Sequence, residues 1–311
     1  MRWLLSRNVC LANMKQEQLQ ALQPKIFAGF ETALQQGKLG HAYLFSGNFA
    51  SYDMAIFLSQ ALFCQETNGV LPCGTCRNCR LIANNEFSDV TVLAPQGNVI
   101  KTDTIRELVK NFSQSGFESS QQVFIIRDAE KMHPNAANSL LKVMEEPQSD
   151  IRLFLLTNQE EAVLATIKSR TQIINFPKNQ PALERMLEEE GLLRTQARLL
   201  AQLVSSMDEA RNLVQNKSFL DLMTTSRKFV EQLLDKPDAA YLQVGQLTAL
   251  AGEKAEQARV FDLLALLVAE DLTRKNACQA MEEILAVRRM WQANVSLQNA
   301  LEYLVLHLAR G

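Results

Sequence analysis

Little in this 311-residue sequence breaks a helix. Gly occurs 12 times and Pro 8 times, below the usual shares of about 7% and 5%, and only 7% of residues are aromatic. So few turn formers and rings disfavour a many-turned β-sandwich and favour helices. A long apolar run is missing too. In the C-terminal half the longest is Leu263 to Ala269, bounded by Asp262 and Glu270, far short of the roughly 18 to 20 residues that span a bilayer. No membrane helix is expected. Nor does either charge prevail, with 32 Lys+Arg against 34 Asp+Glu and a formal net charge of -2. The balance also holds locally, since residues 217–311 carry 11 basic and 12 acidic side chains. A chain that grips nucleic acid alone neutralises phosphates with a basic excess. Any such contact here must be local or shared with other subunits.

At about 100 to 200 residues per domain, the length gives two or three domains, each able to bury a core without staples. Near the N-terminus the short apolar run Trp3 to Leu5 is interrupted by Arg7 and Asn8, before it reaches the roughly 7 to 15 residues of a signal sequence. Secretion is not expected. Met14 opens a helical segment, Lys15 to Gln35, so residues 1–13 read as an upstream start or a disordered extension.

The periodicity predicts a helix over 15–36, a strand at His41 to Ser46 ending in Gly47, and a buried helix at Asp53 to Phe63. Strands follow at Val90 to Ala94, Val123 to Ile126, Leu153 to Thr157 and Ile173 to Phe176. Between them lie helices from Thr102 or Asp103 to about Ser113, from Asn135 to Glu146 before Pro147, and near Glu161 to Ile167. Such alternation implies a parallel sheet covered on both faces, an α/β domain ending near Pro177. Beyond it only helices are expected: a pair at Pro181 to Glu190 and Thr195 to Ser205, then Phe219 to Leu234, Ala255 to Thr273, Cys278 to Trp291 and Ser296 to Ala309.

Four of the six cysteines, Cys64, Cys73, Cys76 and Cys79, interrupt the α/β pattern with C-x8-C-x2-C-x2-C spacing. Two-residue gaps let thiolates converge on one ion, and four of them close a tetrahedral zinc shell with no position left for water. A structural Zn2+ site is the leading reading. An iron–sulfur cluster, a pair of disulfides or a redox C-x-x-C pair are the alternatives. Cys10 and Cys278 stand apart as free thiols.

Gly47 lies where a strand turns into a helix, the place of a phosphate loop, G-x-x-x-x-G-K-[ST]. Here Tyr52 stands at the second glycine, Asp53 at the lysine and Met54 at the magnesium hydroxyl. A carboxylate there repels phosphates, and a thioether does not hold magnesium. In the strand Val123 to Ile126, the two acidic positions expected at its end hold Arg127 and Asp128, so a magnesium carboxylate has become a cation. No nucleotide is expected in this site. Arg170, just before the last strand, is by itself an ordinary surface or ion-paired arginine.

Together HAYLFSG (His41 to Gly47), the four-cysteine insertion, DAEKM (Asp128 to Met132), AANSLLKVMEEP (Ala136 to Pro147) and TIKSR (Thr166 to Arg170) strongly resemble the delta-prime family of bacterial DNA polymerase III subunits, in the version with a degenerate phosphate loop. The motifs span Met14 to about Pro177. The resemblance implies an AAA+ RecA-like α/β domain over 14–177 with a zinc module at 64–79, a helical lid at 178–215 and a helical collar at 216–311.

It also implies a clamp loader: a ring of one delta, three ATP-binding tau or gamma copies and one delta-prime, which places a sliding clamp on primer-template DNA. In that family delta-prime is a stator, part of the DNA-directed DNA polymerase (nucleotidyltransferase) holoenzyme in the cytoplasm, at the nucleoid-associated replisome. It offers the arginine of an S-R-C motif to ATP bound by its neighbour. Carried over, that arginine is Arg170, with Ser169 as its companion; Thr171 departs from the motif's cysteine. Two other classes remain in view: an active ATPase of the tau/gamma type, against which the missing Gly-Lys-Thr argues, and a zinc-stabilised nucleic-acid module, against which the charge balance argues.

Overall fold

The computed structural model describes residues 14–95, 97, 99–112, 121–145 and 150–310. The reading of residues 1–13, and the stop assigned to Pro147, lie outside them. Residues group into two compact units, the first ending at Ala182 and the second beginning at Leu183.

The first unit opens with two helices, α1 (Gln16–Leu22) and α2 (Pro24–Gln35), where the sequence predicts one. Pro24 is the reason. It lacks an N–H and excludes the helical conformation from the residue before it, so Gln23 has φ -130° and α2 restarts with proline at its first position. Then come β1 (Ala42–Ser46), α3 (Ser51–Phe63), α4 (Arg77–Ala83), β2 (Val90–Leu93), α5 (Thr102–Phe112), β3 (Gln121–Ile126), α6 (Pro134–Glu145), β4 (Asp150–Thr157), α7 (Ala165–Lys168) and β5 (Gln172–Asn175). The helix expected at Glu161 to Ile167 is instead a 3₁₀ turn, Glu160–Ala162, and the single turn of α7.

All five strands run parallel in the order β2-β3-β4-β1-β5. β1, β3 and β4 are almost wholly buried, as expected of strands covered on both faces. On one face Ala42, Leu44, Phe124, Leu153 and Leu155 pack with α5 and α6. Rings gather elsewhere in the core: Phe45 lies 4.7 Å from Phe176 and 5.4 Å from Phe154, centroid to centroid. Removing such rings from water gains about 25 cal/mol per Å² of apolar surface, which helps to hold β1 in the core. Ligands of open parallel sheets bind beyond the carboxyl ends of the strands, here Ser46, Ile126 and Thr157.

The helical remainder comprises α8 (Gln180–Glu189), which starts within the first unit, α9 (Arg194–Leu203), α10 (Met207–Val214), α11 (Lys217–Asp235), α12 (Pro237–Leu250), α13 (Lys254–Ala269), α14 (Ala277–Gln292) and α15 (Leu297–Arg310). Ser206 and Asn216 cap α10 and α11 by accepting the backbone N–H of Glu209 and Phe219, each at 3.1 Å. Neither α10 nor α12 is singled out by the sequence pattern. α12 buries Ala240, Gln243, Val244 and Leu247 at helical spacing, but exposed Tyr241 and Leu242 on its other side blur the stripe. Within the second unit α9 packs on α13, and Arg259 pairs with Glu209 at 3.5 Å.

Candidate functional site

The turn after β1 is closed against the strands on either side. Gly47 donates its N–H to the Thr157 carbonyl at 2.8 Å, and Phe176 donates to the Ser46 carbonyl at 2.6 Å. Phe49 and Ala50, where a phosphate loop would present backbone N–H groups, are buried. The buried amide of Gln23 donates to the Phe49 carbonyl at 2.9 Å and to the Pro177 carbonyl at 2.8 Å. One side chain from the α1–α2 break thus ties the loop to the segment after β5. Sequence reasoning missed Gln23, because its partners lie 26 and 154 residues away.

The degenerate positions have other work. Asp53 is buried and accepts the backbone N–H of Met14 at 3.4 Å. Met54 is fully buried. Tyr52 donates to Asn85 Oδ1 at 3.1 Å, and the Arg127 guanidinium stands over its ring, 4.8 Å from the centroid. Asp128 takes the left-handed conformation, φ 51°, and pairs with Lys131 at 3.3 Å. Beside them Thr157, at the end of β4, donates to Glu130 Oε2 at 2.7 Å. The structure therefore brings Tyr52 and Arg127 together as a cation–π pair.

Arg170 follows α7 and is partly exposed. Its Nε donates to Glu145 Oε1 at 2.6 Å, Nη2 pairs with the same carboxylate, and Nη1 donates to the Thr166 carbonyl at 3.0 Å and to Ser169 Oγ at 3.1 Å. Ser169 thus touches the guanidinium directly. Thr171 bonds back to the Ile167 carbonyl at 3.1 Å, so the residue that departs from the motif helps close the α7 turn. Glu145 lies within AANSLLKVMEEP, but its pairing is not legible from spacing.

The four cysteines converge. Cys64 ends α3, Cys76 caps α4 and Cys79 lies on α4's first turn. All four sulfurs lie within 4.8 Å of one another, and no disulfide joins them. Cys64 Sγ is 3.5 Å from Cys73 Sγ and 3.9 Å from Cys76 Sγ. A tetrahedral ion with bonds of about 2.3 Å sets sulfurs about 3.8 Å apart, which these separations bracket; a multi-iron cluster spreads its thiolates over several irons. The N–H groups of Thr75 and Cys76 point at Cys73 Sγ, at 3.4 and 3.2 Å, and lower its pKa to about 6, whereas burial raises that of Cys79. Asn78, donating to the Phe63 carbonyl at 2.9 Å, and Gln60, donating to the Cys79 carbonyl at 2.9 Å, fasten the module to α3 and α4. This donor set fits a structural metal ion.

Comparison with known proteins agrees with the motifs. A family model described as DNA polymerase III, delta subunit, matches residues 22–180. DNA polymerase III subunit delta' of Bacillus subtilis is 32% identical over 95% of this chain and 98% of its own length. Subunit delta' of Escherichia coli is 32% identical over 47% of this chain and 45% of its own. Subunit gamma/tau of Mycobacterium tuberculosis is 33% identical over 55% of this chain and 31% of its own. Among solved structures, a DNA polymerase III gamma subunit-related protein of Thermotoga maritima aligns with TM-score 0.48 at 18% identity, over 90% of this chain and 98% of that one. The chain belongs to the delta-prime family of DNA polymerase III clamp-loader subunits, with a parallel-sheet α/β unit followed by helices.

Proposed function

We propose that this chain is the non-hydrolysing stator of a pentameric clamp loader and activates ATP hydrolysis in trans. The observation that carries the reading is a division within one unit. The loop after β1 is fastened to its own chain by Gln23 on the Phe49 carbonyl and carries the buried carboxylate of Asp53 where a phosphate loop has lysine, while Arg170 stands partly exposed after α7. A guanidinium supplied by a neighbour stabilises charge that builds on a γ-phosphoryl group, an effect of about 10³ to 10⁵ in well-studied trans cases.

In this reading the partners are tau/gamma ATPase subunits and a delta subunit, with the sliding clamp and primer-template DNA engaged through the assembly. The helices divide into a lid at 178–215 and an oligomerising collar at 216–311, and Cys64, Cys73, Cys76 and Cys79 hold one structural Zn2+ that folds the insertion. The absence among the described residues of any helix long and apolar enough to cross a membrane is compatible with a cytoplasmic place at the replisome.

The test is Arg170→Ala in the reconstituted loader. The mass of the complex should be unchanged, and DNA- and clamp-stimulated hydrolysis should fall about tenfold or more. Unchanged hydrolysis overturns the assignment of Arg170. Steady-state hydrolysis by the purified chain alone would instead favour a tau/gamma-type ATPase.

A further inference from the structure

We propose that Glu145 is the positioning residue for Arg170, holding the guanidinium in the orientation in which it meets a neighbour's phosphate; this rests on the reading of Arg170 as a trans finger. Two motifs that are separate in sequence, AANSLLKVMEEP and TIKSR, meet at this pair. A guanidinium carries five N–H groups. Nε and one Nη2 hydrogen go to Glu145, and Nη1 serves the Thr166 carbonyl and Ser169 Oγ. Four of the five are directed by acceptors of the same chain, which orients the fifth, on Nη2.

Glu145 has no local reason to be acidic. It is the last residue of α6, where the helix dipole disfavours a carboxylate. Its side chain is 50% exposed and that of Arg170 is 36% exposed, and pairs this open to water stabilise a fold very little. What the carboxylate does accomplish is to restrict a long side chain that would otherwise lose its rotamer freedom at the moment of docking. Because reaction rates depend steeply on the placement of charge, an arginine restricted in advance is the more effective donor.

The experiment compares E145A, E145Q, R170A and the E145A/R170A double variant in the reconstituted loader, with side-chain NMR of Arg170 Nε–Hε in the full chain. E145A should lower the stimulated kcat about three- to tenfold with little change in the KM for ATP. E145Q, whose amide oxygen still accepts from Nε, should recover most of it. On the R170A background E145A should add nothing, and hydrogen exchange at Arg170 Nε should be slow in the parent and fast in E145A. A wild-type or raised rate for E145A, or an additive loss in the double variant, overturns the proposal. If R170A alone leaves hydrolysis unchanged, the finger reading fails and the positioning role falls with it, even where slow exchange shows the pair to be formed. If R170A lowers the rate but exchange at Nε ignores E145A, the finger stands and this proposal falls.

Discussion

The carbonyl oxygen of Phe176 occupies the space that a Cβ on Gly47 would need, with the Phe176 carbonyl carbon 3.2 Å from the same point. Gly47 also has φ +109°, a conformation that other residues adopt only under strain. Gly47 therefore has a conformational role in this turn. It lets the turn after β1 close against the end of β5, and no phosphate is required to explain it. Gly47→Ala should cost about 2 kcal/mol or more of stability, measured by urea unfolding; a change within about 0.5 kcal/mol would show that the turn can relax.

In the proposed reading the loop after β1 binds no nucleotide, and more than one feature supports that. Restoring the lysine alone, Asp53→Lys, leaves the Phe49 carbonyl held by Gln23 and Met54 buried. Millimolar Mg-ATP is expected to leave the melting temperature of both the parent and this variant unchanged. An upward shift in the parent would indicate nucleotide binding by mass action and overturn the reading of a loop without nucleotide.

Cys76 both caps α4 and belongs to the thiolate cluster. Replacing it with serine keeps an oxygen acceptor at the cap but removes a soft ligand. Purified Cys76→Ser should lose about one zinc per chain in metal analysis, and proteolysis should become faster within 64–79, because metal binding there is folding free energy. Parent protein without zinc, or a variant that keeps it, rejects a four-thiolate zinc site.

In the helical unit Arg227 clasps Glu270 with two bonds, at 2.9 and 3.0 Å, joining α11 to the end of α13. The carboxylate raises the arginine's pKa. Lysine keeps the charge but not the fork, so Arg227→Lys and Arg227→Ala should both lose about 0.5 to 1 kcal/mol. Trp291, whose indole donates to Gln257 at 2.8 Å in the same unit, provides the fluorescence signal for unfolding. If lysine restored full stability, the second bond would contribute nothing.

What the sequence by itself determined is chemistry carried by neighbours in the chain. Apolar runs such as Val123 to Ile126 lie buried in the sheet, the C-x8-C-x2-C-x2-C spacing brings four sulfurs to one point, and by residue type alone Asp53 is unsuited to hold phosphate and Met54 and Arg127 to hold magnesium. Local rules also misled where they were incomplete. Helical periodicity ran straight through Pro24, although proline ends the preceding helix, and α12 hid behind exposed Tyr241 and Leu242.

The tertiary structure alone decided which distant groups share the unit's polar contacts. Gln23 reaches across 154 residues to Pro177, and Glu145 across 25 to Arg170. Neither partnership has a sequence period. Each forms because closing a parallel sheet brings helix ends and strand ends together, and a buried amide such as Gln23 must then find acceptors at that meeting point or lose about 1 to 3 kcal/mol for each polar group left unpaired.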